Sequence, residues 1–188
     1  KNSFGSSKKN DKTMMVEYFH ANTHKAVHIG HVRNICLGES LSRLLEFSGS
    51  KVIRVNYQGD IGPHVAKCLW GILNMKDKIG SPPAGNRLRW LGNIYVQANT
   101  VVEGNEQLES DVKQLLLKIY EGDKELNKLW KETRQWCLDE FDEMYRDFGV
   151  KYGEFYFESE MEFEARRISQ QLLKAGIAEE SDGAIIMD

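Results

Sequence analysis

Two patterns of apolar residues, a continuous run and a helical repeat, dominate the first third of the chain. Residues 14–19 form a compact apolar run with Glu17 inside it, which predicts a buried strand. Between residues 30 and 48 the apolar positions recur at three- and four-residue steps, which predicts one helical face that ends at Gly49. The members of that face are Val32, Ile35, Leu41, Leu44 and Leu45. Residues 51–57 are rich in β-formers and predict a second strand.

A strand, a long helix and a second strand in this order form a βαβ unit. Such a unit has parallel strands and a right-handed crossover, so the pattern predicts an α/β fold. Ligands of open parallel sheets bind beyond the carboxyl ends of the strands. Residues 20–31, which follow the first strand, are therefore the expected ligand-binding loop.

The second part of the chain has a different pattern. Residues 77–106 hold two adjacent prolines and several glycines and are predicted to be irregular. Residues 107–148 are predicted to be largely helical, with their aromatic side chains in a helix-packing core. A short strand at 155–157, a helix at 162–175 and a hairpin at 177–187 complete the prediction. The predicted inward residues of that helix are Phe163, Ile168 and Leu172, and the hairpin turn is Ser181-Asp182-Gly183.

Composition and charge limit the classes of protein to which this chain can belong. The chain has 188 residues, 41% of them hydrophobic and 28% charged, with a net charge of −3, so no general basic field attracts nucleic acid. No apolar stretch approaches the length of a membrane span. The cysteines are three in number and widely spaced, which favours reduced thiols inside the cell. Residues 1–13 are predicted to be a flexible segment, and both ends suggest a piece of something longer.

The candidate chemistry is concentrated in His28-Ile29-Gly30-His31, at the predicted start of the long helix. A helix N-terminus presents free N–H groups and a partial positive charge, and it stabilises phosphate. Glycine allows close approach of a flat ring, and each imidazole can donate to phosphate oxygens. The pattern therefore indicates a nucleotide triphosphate site. A surface histidine at a helix start beside a second polar histidine is the alternative interpretation.

The flanking sequence resembles that of class I aminoacyl-tRNA synthetases, and more narrowly the arginyl-tRNA synthetase family. The stretches that carry this resemblance are residues 16–34 and 52–62, with weaker similarity in 122–130, 157–160 and 180–184. The resemblance implies the first half of a Rossmann-like (HUP-type) parallel-sheet nucleotide-binding domain over 14–76. A mainly helical connective insertion over 77–188 would then lead toward a second half that this truncated chain lacks.

The resemblance also implies substrates and residue roles. Arginine and ATP, the latter with Mg²⁺, would give arginyl-adenylate, and the arginyl group would pass to tRNA(Arg); no tightly bound cofactor and no protein-bound metal are expected. His28 and His31 match histidines that bind the ATP phosphates and stabilise the transition state, and Gly30 matches the glycine under the adenosine. Lys25 lies where a lysine would reach the triphosphate. The residues that the resemblance assigns to arginine are Glu17, His20, Ala21, Asn22 and His31.

Glu17 has independent physical support, because a carboxylate within an apolar strand needs a partner if it is buried, and a guanidinium is such a partner. An exposed position on an edge strand is the alternative. The chain departs from the family pattern at His20, where a serine is usual, and at Ala26, where a proline is common. The later lysine-rich loop and the rest of the guanidinium pocket are absent, so we expect these 188 residues to be inactive alone.

Two other functions remain open at this stage. One is another class I synthetase or a nucleotidyltransferase-like domain that shares the paired histidines. The other is a truncated, non-catalytic module that binds tRNA or a protein through residues 107–148. We expect a cytoplasmic monomer without membrane association.

Overall fold

A parallel three-stranded sheet forms the centre of the first part of the chain in the computed structural model, which describes residues 4–181 and 184–187. Its strands lie in the order β1 (Thr13–Glu17), β2 (Lys51–Gln58) and β3 (Glu154–Phe157). Helix α1 (Ile29–Phe47) connects β1 to β2, and Val16 lies opposite Arg54 in the register of that pair. The predicted βαβ unit is confirmed.

Helices supply the long connection from β2 to β3 and the region after it. The connecting helices are α2 (Pro63–Asn74), α3 (Lys76–Ile79), α4 (Arg87–Val102), α5 (Glu106–Tyr120) and α6 (Lys124–Asp147). After β3 follow α7 (Glu158–Lys174) and an antiparallel hairpin of β4 (Glu179–Ser181) and β5 (Ala184–Ile186). The hairpin is confirmed, whereas the predicted turn at 182–183 lies outside the described residues.

The burial of β1 and α1 differs from the prediction. In β1 only Val16 is buried, and Met15 is 62% exposed, so the strand is not buried on both faces. In α1 the residues that face inward are Ile35, Gly38, Glu39 and Ser42, and the predicted core residues Leu41 and Leu44 are exposed.

The inward face of α1 has a specific physical cause. At Gly38 a Cβ atom would lie 2.2 Å from the Tyr18 ring, so glycine lets that ring pack directly on the helix. Glu39 faces inward because its carboxylate accepts hydrogen bonds from Tyr18 Oη at 2.8 Å, Arg43 Nε at 2.6 Å and Arg54 Nε at 2.8 Å. Gly38 and the hydrogen-bonded Glu39 thus occupy the inward face of α1 that was predicted for Leu41 and Leu44.

The region 77–106 is not irregular, because α4 occupies most of it. Its buried residues recur at helical spacing and include Leu88, Leu91, Ile94, Ala98 and Val102. The two prolines lie only in the connection before the helix. A hydrophobic cluster joins α2, α4 and α5, so the chain on both sides of residue 76 shares one core.

Helices α5 and α6 confirm the helical prediction for 107–148, and Phe141 and Tyr145 are buried in the core. Helix α7 begins at Glu158, four residues before its predicted start, and its predicted core residue Ile168 is exposed. The side chain of Phe163 lies outside what the structure describes. Ser7 and Asn10 donate main-chain hydrogen bonds to Phe47 and Gly49, so part of the first segment lies against the end of α1.

Within the described ranges, no helix combines the length and the apolar character that a membrane crossing requires. Cys36, Cys68 and Cys137 are free thiols, and the last two are buried.

Candidate functional site

The imidazoles of His28 and His31 stack on each other at the start of α1. Their ring centroids lie 3.9 Å apart with an angle of 35° between the planes. His28 is the N-cap residue of α1, and its Nδ1 accepts a hydrogen bond from the Gly30 N–H at 3.1 Å. The His28 N–H in turn donates to His31 Nδ1 at 3.1 Å. The structure therefore brings both predicted histidines together in a reciprocal capping arrangement.

These backbone contacts determine the tautomers of the two rings. A nitrogen that accepts an N–H bond carries no hydrogen, so in each neutral ring the hydrogen is on Nε2. Burial and the adjacent His28 lower the pKa of His31, which favours its neutral form. The pair thus offers two Nε2–H donors next to the helix N-terminus, an arrangement suited to an anion.

Gly30 is required by the conformation of His28. A Cβ atom at residue 30 would lie 2.8 Å from His28 Cε1 and 2.9 Å from its Nδ1. Any side chain there would push the imidazole out of its capping position.

The loop between β1 and α1 has an unusual backbone. Phe19, His20 and His24 have φ angles of 84°, 57° and 60°, in a region that non-glycine residues rarely adopt. Each such residue costs on the order of 1 kcal/mol, and such strain concentrates at functional sites. Phe19 is fully buried, and its ring lies 5.8 Å from that of His31.

Carboxylates gather at the carboxyl ends of the three strands. Glu17 ends β1 and is half-exposed, with its Oε1 3.0 Å from His20 Nε2. The pKa of Tyr57, near the end of β2, is raised by burial and then by the charges of Glu158, Asp60 and Glu17. Burial, Asp60 and Glu162 raise the pKa of Glu158, which follows β3. This side of the site is suited to a cationic ligand.

Asn22 lies directly over Gly59. Its Oδ1 is 2.3 Å from the position of a Cβ at residue 59, and Glu158 Oε2 is 3.2 Å from that position. The Gly59 carbonyl accepts from the Thr23 N–H at 3.0 Å. Because Gly59 has no side chain, the β1 loop, the β2 loop and α7 come close together there. Ala21, which precedes Asn22, is buried.

The Lys25 ammonium group contacts helix α4. Its Nζ is 4.9 Å from the centroid of the Tyr95 ring in α4. Its charge, after burial, contributes to lowering the pKa of His64 to about 4. His64 Nε2 is 3.3 Å from the Gly59 carbonyl oxygen. The structure thus places Lys25 beside His64 and the β2 loop.

Asp60 is a buried junction between the loop after β2, helix α6 and helix α7. Its carboxylate accepts from Arg134 Nε at 2.6 Å, and from the N–H and the hydroxyl of Ser159 at 2.9 and 2.7 Å. Its carbonyl accepts from Trp130 Nε1 at 2.7 Å. Because Ser159 is in the first turn of α7, Asp60 caps that helix and ties it to α6.

Sequence reasoning assigned no binding or catalytic role to several residues of this site. Glu158 and Asp60 lie in the stretches of family resemblance, so a signal for them existed. His64 follows Gly62-Pro63 without a distinctive pattern, and Arg134 is one of several charged residues on a long helix. In the part of the chain that the structure describes, no three His, Cys, Asp or Glu side chains are grouped to hold a metal ion.

Comparison with known proteins adds sequence relatives. The chain is 37% identical over 187 residues to the arginine–tRNA ligase of Bdellovibrio bacteriovorus, covering 96% of this chain and 32% of that protein. It is 36% identical over 183 residues to that of Treponema denticola, covering 94% of this chain and 31% of the relative. The chain therefore spans about a third of the length of these relatives.

Solved structures share the fold. The arginyl-tRNA synthetase of Thermus thermophilus matches 98% of this chain with a TM-score of 0.74 and 21% identity, over 31% of its own length. That of Plasmodium falciparum matches 96% with a TM-score of 0.70 and 21% identity, over 30% of its length. The family model for the catalytic domain of class I tRNA synthetases (R) matches residues 1–188. By that match along its whole length, the chain belongs to the class I arginyl-tRNA synthetase family.

Proposed function

We propose that this chain supplies the ATP-binding and arginine-binding first half of an arginine–tRNA ligase active site. The stacked pair of His28 and His31 carries the proposal, because both Nδ1 atoms are bonded to the backbone and both Nε2–H groups remain as donors. In the proposed reaction an oxygen of the arginine carboxylate attacks the α-phosphorus of ATP. The bond to the bridging oxygen of the β-phosphate breaks, and pyrophosphate leaves.

The nucleotide side of this site is built from the α1 N-terminus and its imidazoles. His28 and His31 donate from Nε2 to phosphate oxygens and stabilise the charge that builds up at the α-phosphate. The adenosine packs at Gly30, on the side away from the His28 ring that fills its Cβ position. Lys25 neutralises the triphosphate, which enters as its Mg²⁺ complex. Lys25 must leave the face of Tyr95 for this role, and a contact of about 1 kcal/mol opposes that movement.

The amino-acid side is acidic, in keeping with a cationic substrate. Glu17 pairs with the guanidinium, which forks toward a carboxylate, and His20 must release Glu17 when arginine binds. Asn22, next to Ala21, holds the polar α-groups of arginine, and His31 lies between them and the phosphate. The Glu158 carboxylate near Asn22 adds negative charge at the same end of the sheet.

The second step transfers the arginyl group. A hydroxyl of the terminal ribose of tRNA(Arg) attacks the arginyl carbonyl carbon, and AMP leaves. Residues 14–76 then form the first part of the nucleotide-binding domain, and residues 77–188 form the connective insertion. We place this activity in a cytoplasmic, monomeric enzyme.

Arginine-dependent exchange of pyrophosphate into ATP tests the proposal. The assay uses the complete gene product that contains this chain, with tRNA(Arg) present, and compares arginine with lysine and glutamine. We expect exchange with arginine alone. Exchange with a different amino acid would assign the chain to another class I synthetase.

Variants test the residue roles in the same assay. His28→Ala and His31→Ala each remove one Nε2–H donor, so we expect a loss of at least about 100-fold in kcat/KM for ATP. Glu17→Gln keeps the shape and removes the charge, and should raise KM for arginine more than KM for ATP. Unchanged exchange in both histidine variants would contradict these roles. No exchange in the unmodified protein, together with tRNA binding that both substitutions leave unchanged, would favour the non-catalytic binding module.

A further inference from the structure

His24 is a fully buried imidazole in the middle of the loop between β1 and α1. Its Nδ1 lies 2.9 Å from Thr23 Oγ1, and its Nε2 lies 2.7 Å from Thr133 Oγ1 on α6. Its main-chain N–H donates to the sulfur of Cys137, also on α6, at 3.3 Å. The loop and this distant helix are therefore joined at one residue by two hydrogen bonds.

The hydrogen-bond pattern determines the direction of each contact. The Thr133 hydroxyl donates within α6, where the Leu129 and Trp130 carbonyl oxygens lie 2.8 and 3.1 Å from it, and we assign it as the acceptor of His24 Nε2–H. The bare Nδ1 then accepts from the Thr23 hydroxyl. Both ring nitrogens are satisfied in a neutral imidazole, so the ring fits this buried position without a charge.

A second helix holds the loop on the other side of His24. Helix α4 approaches at Gly92, where a Cβ atom would lie 2.9 Å from the Ala26 nitrogen and 3.1 Å from its Cβ. Lys25 lies on the Tyr95 ring of the same helix. The loop therefore contacts α4 and α6, both from the predicted connective insertion, within three consecutive residues.

We infer that His24 is a positioning residue through which α6 sets the placement of the substrate loop over residues 20–28. This loop carries Asn22 two residues before His24 and Lys25 directly after it. The left-handed backbone of His24, with φ of 60°, turns the chain so that its ring points into the core. The inference rests on the proposed function, because the loop matters for catalysis only if it binds arginine and ATP.

Thr133 offers the sharpest test, because it does not belong to the loop. Thr133→Val has nearly the same shape but no hydroxyl, so it leaves the His24 Nε2–H without an acceptor. Thr133→Ser keeps the hydroxyl and is the matched control. His24→Asn is a second variant, because asparagine tolerates a left-handed φ and can reach Thr23 but not Thr133.

The experiment measures two quantities in the complete gene product. Hydrogen–deuterium exchange of residues 20–28 reports the order of the loop, with and without ATP. Pyrophosphate exchange reports KM and kcat for arginine and ATP. A small displacement of groups that position substrate is enough to change kinetics severalfold. In Thr133→Val and His24→Asn we expect faster loop exchange and a rise of at least about threefold in KM for both substrates, while Thr133→Ser behaves like the unmodified protein.

The two quantities separate this inference from the proposed function. A purely structural His24 would lower the unfolding midpoint and leave KM unchanged, and that result overturns the inference. Unchanged loop exchange in both variants overturns it as well. If the unmodified protein shows no arginine-dependent exchange, the proposed function fails, while faster loop exchange in Thr133→Val would still support the coupling of α6 to the loop.

Discussion

At the scale of single residues, two glycines shape the candidate site as much as its histidines do. Gly30 leaves room for the His28 ring, and Gly59 leaves room for the Asn22 amide. The histidine pair was predictable because its capping hydrogen bonds and the contact between its two rings lie within four residues of sequence. The partners of Asp60 were not, because Arg134 and Ser159 are 74 and 99 residues away from it.

The substitution Gly30→Ala should affect ATP binding much more than the free energy of unfolding. Loss of the His28 cap costs about 1 kcal/mol, and alanine in place of glycine regains nearly as much in a helix, about 0.8 kcal/mol. We therefore expect a small change in the free energy of unfolding and a clear loss of affinity for ATP, measured by denaturation and by calorimetric titration. Gly85→Ala is the control, because a Cβ there meets no atom within 4 Å. Equal ATP affinity in both variants would contradict the role given to the His28 conformation.

At the scale of elements, local patterns predicted most strands and helices, but they did not predict which face of a helix is buried. The helix α1 was predictable from apolar spacing, yet its inward face is formed around Gly38 and Glu39. That choice depends on Arg54 of β2 and on Tyr18 beyond β1, which no helical period reveals. The helix α4 was missed because prolines and glycines before it concealed an apolar spacing that is plain once the boundary is known.

The junction at Asp60 makes a prediction about the attachment of α7. Asp60→Ala leaves the Arg134 guanidinium without its partner and Ser159 without its cap, and breaking a buried ion pair costs about 3 kcal/mol. We expect a loss of that size in chemical denaturation. Asp147→Ala, at the exposed end of α6, should change the stability by less than about 0.5 kcal/mol. Similar losses in the two variants would show that the buried network does not stabilise the protein.

At the scale of the whole molecule, the first crossover was predictable because a single helix separates β1 from β2. The next one was not, because β2 and β3 pair across a connection of five helices. Nothing local to residues 154–157 identifies their neighbour. The helices of this connection contribute to both hydrophobic clusters, so the position of Glu158 at the site depends on the packing of the connection.

Acid should destabilise the whole molecule through the buried His24 and the half-buried His64. Burial lowers the pKa of His24 to about 3 and that of His64 to about 4, both below the ordinary 6.5. The unfolded chain therefore binds more protons between these values, so stability is complete above pH 6.5 and falls as the pH falls. For His24 the loss at pH 5 is about 2 kcal/mol. Denaturation at pH 7.5 and pH 5 should show a smaller loss for His24→Asn than for the unmodified protein, and equal losses would refute this assignment.

In both His28 and His31 the Nδ1 atom accepts a hydrogen bond from the main chain, and this affects how the protein would bind the nucleotide. Burial lowers the pKa of His31 from its ordinary value of 6.5, so this ring is already neutral at pH 7 and keeps its Nε2–H in mildly alkaline buffer. Titration of ATP affinity between pH 7 and pH 9 should therefore give a flat profile. Two main-chain contacts at the start of one helix therefore fix both donor nitrogens before ATP arrives.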